Sequence, residues 1–385
     1  MALKGTNQEL GRPYNRRIVL ESVRLNSPTT RGEIAARVGL TVQTVSTIVR
    51  ELEEQNYLVS FRETPKGRGL PPSLLRLNPE GGFAIGVHLT PMGIASALVD
   101  LSGNVVASRH RAVTNAAPDT AFTIVGEMLP ELFAARPEGR MLGIGMALPG
   151  PFGVESMSFV GPTTMAGWEN VQIRERLVDL TGLPAFLETD MAAAALGEQL
   201  YGFGNQYSDY YYLYFGVGLG GAFVHEGRVM RGAGGNAGEI GHMPVVPEGE
   251  PCTCGNRGCL ERYVSLDAYR RSGKFEADWL SAIAPIFRNA IATVENLFDP
   301  QTVVLGGIAS ASLLDGLAQF TVDLPNTVAA RRDRKAPRII VALGGEHAVL
   351  RGAAALAVSG VLSPRFGLMF AAEHERGHLD GGLAA

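Results

Sequence analysis

The chain has 385 residues, 46% of them apolar and 19% charged, the balance of a soluble globular protein with room for two or three cored domains. No apolar run approaches the roughly 18 residues of a membrane span and the amino terminus is polar, without a secretory signal, so a cytoplasmic protein is expected. The net charge of −4 is unevenly spread: residues 1–77 carry twelve Lys and Arg against seven Asp and Glu, which puts about +5 on the head and −9 on the remainder, and a basic head on an acidic body points to a polyanionic partner.

Residues 1–12 read as a loose arm. A first helix is expected from about Asn15 to Leu25, with Ile18, Val19 and Val23 apolar, and Ser27-Pro28 breaks it. Thr30 and Glu33 have the spacing of a capping box. They open a second helix whose inner stripe is Ile34, Ala35 and Val38, with Gly39 as its left-handed exit. Thr41 caps a third helix. There Val45, Ile48, Val49 and Leu52 recur at i, i+3, i+4, i+7 and turn inward. Gln43, Thr44, Ser46, Thr47 and Arg50 turn outward, and short polar side chains with one Arg suit a helix that enters a major groove. The strands Tyr57–Phe61 and Ser73–Leu77 flank RETPKGRGLPP, which makes a wing. Its Lys66 and Arg68 are placed for phosphate or minor-groove contact. The unit is read as a winged helix-turn-helix over residues 1–80.

From Gly82 the pattern changes to buried strands. Phe83–Val87, Ile94–Asp100 and a strand from Val105 are followed by a helix near Thr120–Ala135 and the strand Leu142–Met146. Near residue 211 the strand, glycine turn, strand pattern recurs in YYLYFGVGLGGAFVHEGRVM. Two copies roughly 130 residues apart predict a duplicated α/β architecture over residues 81–385, with a ligand cleft between two lobes. Thr189-Asp190 opens an alanine-rich helix, where an acid at the start is favourable by itself. Thr302–Val304 leads into Leu305-Gly306-Gly307-Ile308, Gly344-Gly345 precedes a helix over His347–Val358, and residues 363–385 read as a tail.

The three cysteines of the chain, Cys252, Cys254 and Cys259, fall within eight residues, ten positions after His242. Clustering speaks against scattered apolar cysteines, and an odd count speaks against a disulfide. Three thiolates and one imidazole complete a tetrahedral Zn²⁺ set without an open position, which makes a structural zinc the expected cofactor. GEIGH at 238–242, followed by CTCGNRGCLE at 252–261, resembles the signature of the ROK family of repressors, open reading frames and sugar kinases. The resemblance extends over nearly the whole chain and is nearest to the family's repressor group, which includes xylose and N-acetylglucosamine repressors.

That resemblance implies an actin-like, ribonuclease-H-like ATPase fold for the body. It implies zinc on His242, Cys252, Cys254 and Cys259, and a sugar pocket lined by Gly150, Asp190, Glu239, His242 and Glu261. Asp190 matches the base that takes a proton from the sugar hydroxyl in ROK kinases. Departures from the family pattern are local. Thr189 stands where Asn precedes that Asp, Thr163 and Thr164 stand where Pro-Asn is usual, and the wing has no further basic residue near Leu70. The second phosphate turn, Gly216-Val217-Gly218-Leu219-Gly220-Gly221, is intact in outline. The first is His88-Leu89-Thr90-Pro91-Met92 in place of Asp-x-Gly-Gly-Thr. An acid that helps place Mg²⁺ and two N–H-bearing glycines are therefore missing, and Pro91 has no N–H at all.

The expectation is a sugar-responsive DNA-binding regulator, a repressor of carbohydrate-utilisation genes, that is no enzyme and keeps Asp190 as a vestigial base. Its partners are operator DNA, a sugar or sugar derivative, and further copies of itself in a homodimer or homotetramer. A sugar kinase with an attached DNA-binding head is the alternative, and a body that serves as a protein-interaction platform is a third reading.

Overall fold

The structure is a computed structural model, and it describes residues 12–62, 72–114, 116–150, 167–168, 171–233, 235–329 and 334–362. The head follows from caps and apolar stripes. Helices α1 (Arg12–Asn26), α2 (Arg31–Val38) and α3 (Val42–Glu54) precede a hairpin of β1 (Leu58–Phe61) and β2 (Leu74–Leu77). Thr30 and Glu33 form the full capping box on α2, which exits through Gly39 at φ 70°. Thr41 caps α3 and accepts from the Thr44 N–H. Val45, Ile48, Val49 and Leu52 are buried against Ile18, Val19 and Ile34. Helix α1 starts at Arg12, earlier than the periodicity suggests, with Pro13 in its first turn, a position that tolerates the missing N–H. The wing residues Lys66 and Arg68 lie outside the described residues.

The body holds two five-stranded sheets. The first comprises β3 (Phe83–Thr90), β4 (Gly93–Asp100), β5 (Val105–Ala112), β6 (Met141–Leu148) and β7 (Ala185–Thr189), in the order β5-β4-β3-β6-β7. Helices α4 (Pro118–Ala134) and α5 (Ile173–Thr181) connect its later strands, and α6 (Asp190–Tyr201) leaves it. The second comprises β8 (Tyr210–Phe215), β9 (Leu219–His225), β10 (Arg228–Val229), β11 (Thr302–Gly307) and β12 (Ile339–Val341), in the order β10-β9-β8-β11-β12. Each sheet is an antiparallel three-strand meander whose first strand pairs in parallel with the fourth, and the fourth with the fifth. One topology used twice is the duplicated, ribonuclease-H-like fold expected of the body. Between the sheets' strands run α7 (Leu266–Ser272), the long α8 (Glu276–Phe298) and α9 (Ala311–Ala318), and α10 (Ala348–Leu362) ends the described chain.

Strand alternation divides each sheet between two cores. Ile85, Val87 and Leu89 face α4 and α5, while Ala84 faces α10. Tyr211, Leu213 and Phe215 pack on Trp279, Ile283 and Phe287 of α8, whereas Tyr210, Tyr212 and Tyr214 face α6 and α10. The α6–α10 pair is thus sandwiched between the sheets. Its crossing is so close that a Cβ on Gly352 would overlap the Ala193 carbonyl oxygen.

Candidate ligand and metal site

The cleft is built where β7 passes into α6. Thr189 is the helix cap, accepting from the Ala192 N–H at 3.3 Å. Asp190 is therefore relieved of the capping role that its position alone would suggest. Its carboxylate accepts from the Met191 N–H at 2.8 Å and from the Tyr214 phenol. Burial pushes the Asp190 carboxyl up to about 6, against the pull of those hydrogen bonds. The Tyr214 ring lies over the second glycine turn, 2.6 Å from where a Cβ on Gly216 would sit. Sequence reading missed this phenol because a tyrosine in the apolar run YYYLYF looks like core.

The loop after β10 brings in the remaining groups. Glu239 precedes a short 3₁₀ turn, Ile240–His242, in which a side chain on Gly241 would overlap the Leu219 carbonyl, so only glycine lets the loop lie on β9. Glu239 Oε2 is 3.9 Å from His242 Nε2, and Glu261 Oε1 is 3.7 Å from His242 Nδ1. A Cβ on Gly150 would lie 3.5 Å from Glu239 Oε1. Burial raises the Glu239 carboxyl; His242 opposes the shift, and Asp190 and Glu261 add to it. Gly150, Asp190, Glu239, His242 and Glu261 are therefore gathered into one patch of carboxylates and imidazole. Such a patch accepts hydrogen bonds from several hydroxyls at once. Thr163 and Thr164 lie outside the described residues.

Beside this patch His242, Cys252, Cys254 and Cys259 place one ligand atom each within 4.8 Å of one another. Cys254 Sγ to Cys259 Sγ is 3.6 Å, and Cys252 Sγ to His242 Nδ1 is 3.6 Å. A tetrahedron with metal–sulfur bonds of about 2.3 Å has edges of about 3.8 Å, so the cluster fits a metal ion. None of the three cysteines is in a disulfide, and Cys254 Sγ and Cys259 Sγ stand 3.6 Å apart against about 2.05 Å for a bonded pair. Nδ1 of His242 faces the sulfurs and Nε2 faces Glu239. Cys252 Sγ also lies 3.3 Å from Glu261 Oε1.

The first turn is different. β3 runs straight through His88 to Thr90 and reverses at Pro91-Met92, where the Thr90 hydroxyl donates to the Gly93 carbonyl at 3.0 Å. His88 is buried, and its Nε2 has no partner among the described residues. Burial lowers the imidazole to about 4, so it is neutral near pH 7. A neutral imidazole is a poor substitute for a carboxylate toward Mg²⁺, which prefers hard oxygen ligands.

On the head, Gln43, Thr44, Thr47 and Arg50 are exposed on one side of α3. Ser46 is half-buried instead of outward, its hydroxyl donating to Val42 O at 2.8 Å. Thr47 spends its hydroxyl in the same way on Gln43 O at 3.2 Å. Val42, 55% exposed at the start of α3, is an addition that the inward-outward pattern did not single out. An exposed apolar side chain there suits a thymine methyl.

Head and body together define a class: a winged helix-turn-helix carried on a two-lobed, actin-like body with a Cys₃His cluster that could hold a metal ion beside its cleft. The chain belongs to the ROK family, whose model matches residues 84–284, and residues 13–59 match a winged helix-turn-helix DNA-binding model. It is 26% identical over 268 residues to the xylose repressor of Bacillus spizizenii, across 69% of each chain. A crystal structure of a ROK family transcriptional regulator, a homolog of the E. coli MLC protein, superposes with a TM-score of 0.69 at 24% identity, over 93% of this chain and 98% of that one. A ROK glucokinase from Streptomyces griseus, solved with glucose and AMPPNP, superposes with a TM-score of 0.59 at 25% identity, over 72% of this chain and all of its own. The regulator accounts for the head as well as the body, and the kinase for the body alone. The chain is a DNA-binding regulator of the ROK family.

Proposed function

We propose that this regulator represses carbohydrate-utilisation genes and is released or engaged by a sugar bound at Gly150, Asp190, Glu239, His242 and Glu261, without phosphorylating it. The observation that carries the reading is one cleft with two unequal halves. In the hydroxyl-accepting half Asp190, Glu239, His242 and Glu261 lie together, while the first phosphate turn presents a buried neutral His88 and an N–H-less Pro91. Phosphoryl transfer depends on positioning and charge stabilisation, so a body with one cradle cannot sustain useful turnover. The family relation to xylose repressors and glucokinases supports a monosaccharide or its derivative as effector. The protein works in the cytoplasm as a homodimer or homotetramer, residues 1–80 reading operator half-sites and residues 81–385 sensing the ligand.

Zinc is the metal that the three thiolates and one imidazole favour. His242, Cys252, Cys254 and Cys259 hold it, and it pins the loop that bears Glu239 and Glu261. Cys252 deprotonates on metal binding and can no longer donate to Glu261. That carboxylate is then available to a sugar hydroxyl.

Thermal unfolding of the full chain against sugars, amino sugars and sugar phosphates, with and without Mg-ATP, tests the reading. A ligand at about 100 times its Kd adds roughly 2.7 kcal/mol, enough to raise the midpoint by several degrees. One sugar shifting the midpoint, ATP leaving it unmoved and operator affinity responding to that same sugar is the expected pattern. ATP turnover with a hexose, or an operator complex indifferent to every sugar, would overturn it.

A further inference from the structure

Asp190 and Glu239 come from different lobes. Asp190 opens α6 at the end of the first sheet, and Glu239 lies on the loop after β10 of the second. The spacing of these two hydroxyl acceptors therefore depends on what ties the lobes together beside the cleft.

One polar tie lies there. Glu188, on β7 two residues before Asp190, is buried, and a buried carboxylate is unfavourable unless it is paired and hydrogen-bonded. Its Oε1 accepts from the Thr189 N–H at 3.1 Å. Its Oε2 accepts from Arg231 Nε at 2.8 Å and lies 2.6 Å from Arg231 Nη2. Arg231 stands two residues after β10, 43 positions along the chain from Glu188. Its own carbonyl accepts from the Ala237 N–H at 3.0 Å, two residues before Glu239. That turn has no slack, because a Cβ on Gly238 would lie 1.9 Å from the Gly221 carbonyl oxygen of β9. Arg231 thus holds the strand end of one lobe with its side chain and the Glu239 turn of the other with its backbone. Packing does little to replace this tie. Interiors leave few voids larger than a water molecule, yet a cavity of about 290 Å³ lies at the joint between head and body, with Glu188 and Arg231 on one wall and Glu21, Arg24 and Leu25 of α1 on another.

We infer that Arg231 is a positioning residue of the sugar cleft: paired with Glu188, it clasps the two lobes so that Asp190 and Glu239 stay spaced for one sugar. The inference rests on the sugar reading given above and adds to it a residue that touches no sugar. Without the guanidinium, Glu188 is a buried charge without its cation. It draws water from the adjoining cavity, and the strand end and the Glu239 turn move apart. Both guanidinium nitrogens converge on the single oxygen Oε2, where one ammonium can take their place. The clasp therefore tolerates Lys and not a neutral side chain.

Hydrogen exchange of the full chain, together with calorimetric titration with D-xylose and D-glucose, tests it. Arg231→Met should speed exchange at the Thr189 and Ala237 amides by about tenfold or more while the amides of α8 keep their rates. It should also weaken whichever of the two sugars the parent chain binds by about tenfold or more. Arg231→Lys should restore both, a recovery that a merely structural loss would not show. Should Arg231→Met fail to fold, Glu188→Gln, which keeps the shape and removes the charge, should show the same two changes and decides in its place. Exchange that stays at the parent's rate, faster exchange with sugar affinity unmoved, or no recovery with Lys would sink the inference. A parent chain that binds neither sugar bears on the effector and not on the clasp, which the exchange rates then decide.

Discussion

Asp190 shows how one carboxyl is tuned by its surroundings. Half-buried beneath Tyr214 and near Glu239, it keeps its proton up to about pH 6, well above the ordinary value of 3.8. If a sugar hydroxyl donates to the ionised form, affinity should rise by up to about tenfold per pH unit below 6 and level off above it. Asp190→Asn should flatten that profile, and a binding isotherm series from pH 5 to 8 reads it. The same shift has a stability sign. The folded state holds the proton more tightly than the unfolded chain, so this group's contribution falls as pH rises from about 3.8 to about 6 and is constant above. Tyr214→Phe removes a hydrogen bond that stabilises the carboxylate and should move the affinity profile to higher pH. At the metal cluster Cys254→Ser should release the ion and, through the loop bearing Glu239 and Glu261, weaken sugar binding. Unchanged metal content by elemental analysis would contradict the assigned ligand set.

At the scale of elements, α6 and α10 carry the most consequence. They touch both sheets, and their crossing tolerates no side chain at Gly352. Gly352→Val should destabilise by at least the 1–3 kcal/mol typical of overpacking, about what one expects when backbone must shift, and thermal unfolding measures it. A variant as stable as the parent would mean that the pair is looser than its geometry indicates. The metal loop is a second such element. It has little regular structure, and backbone bonds such as Leu260 N–H to Met243 O and Val245 N–H to Gly258 O tie the cysteine turn to the GEIGH turn. Chelation should therefore lower the unfolding midpoint and blunt sugar binding together.

For the molecule as a whole, the opposed charges of head and body matter most. A head of about +5 meeting DNA releases counterions, so operator affinity should fall steeply and log-linearly with salt. Gln43, exposed in the first turn of α3, is placed for a base edge. Gln43→Ala should weaken operator binding by about 1–3 kcal/mol and relax preference at one base pair without changing the salt slope. A changed slope with intact base preference would instead assign Gln43 to the phosphates. The head docks through Arg140, which donates to Gln55 O at 3.0 Å and stacks over Tyr57, and through Arg24 on Leu200 O at 3.3 Å. Tyr57 and Leu77 also pack on the apolar core around α10, so motion in the body has a route to the head.

The sequence by itself determined what depends on short spacings. The capping box of α2, the buried stripe of α3, the hairpins of both lobes and the four metal donors are all set by residues within a few positions, or within one loop, of each other. Their signals are periodicity, caps and clustering, which survive without knowing the fold. The long α8 escaped because Pro285 interrupts its pattern, and β12 because three residues carry too little periodicity. Only the tertiary structure decided the rest. Tyr214 meets Asp190 across 24 positions, Arg231 meets Glu188 across 43, and the joint cavity brings α1 beside the hairpin after β9. These contacts join side chains that look like ordinary core or surface along the chain. Their partners are chosen by how two sheets and two helices stack, and no local pattern encodes that.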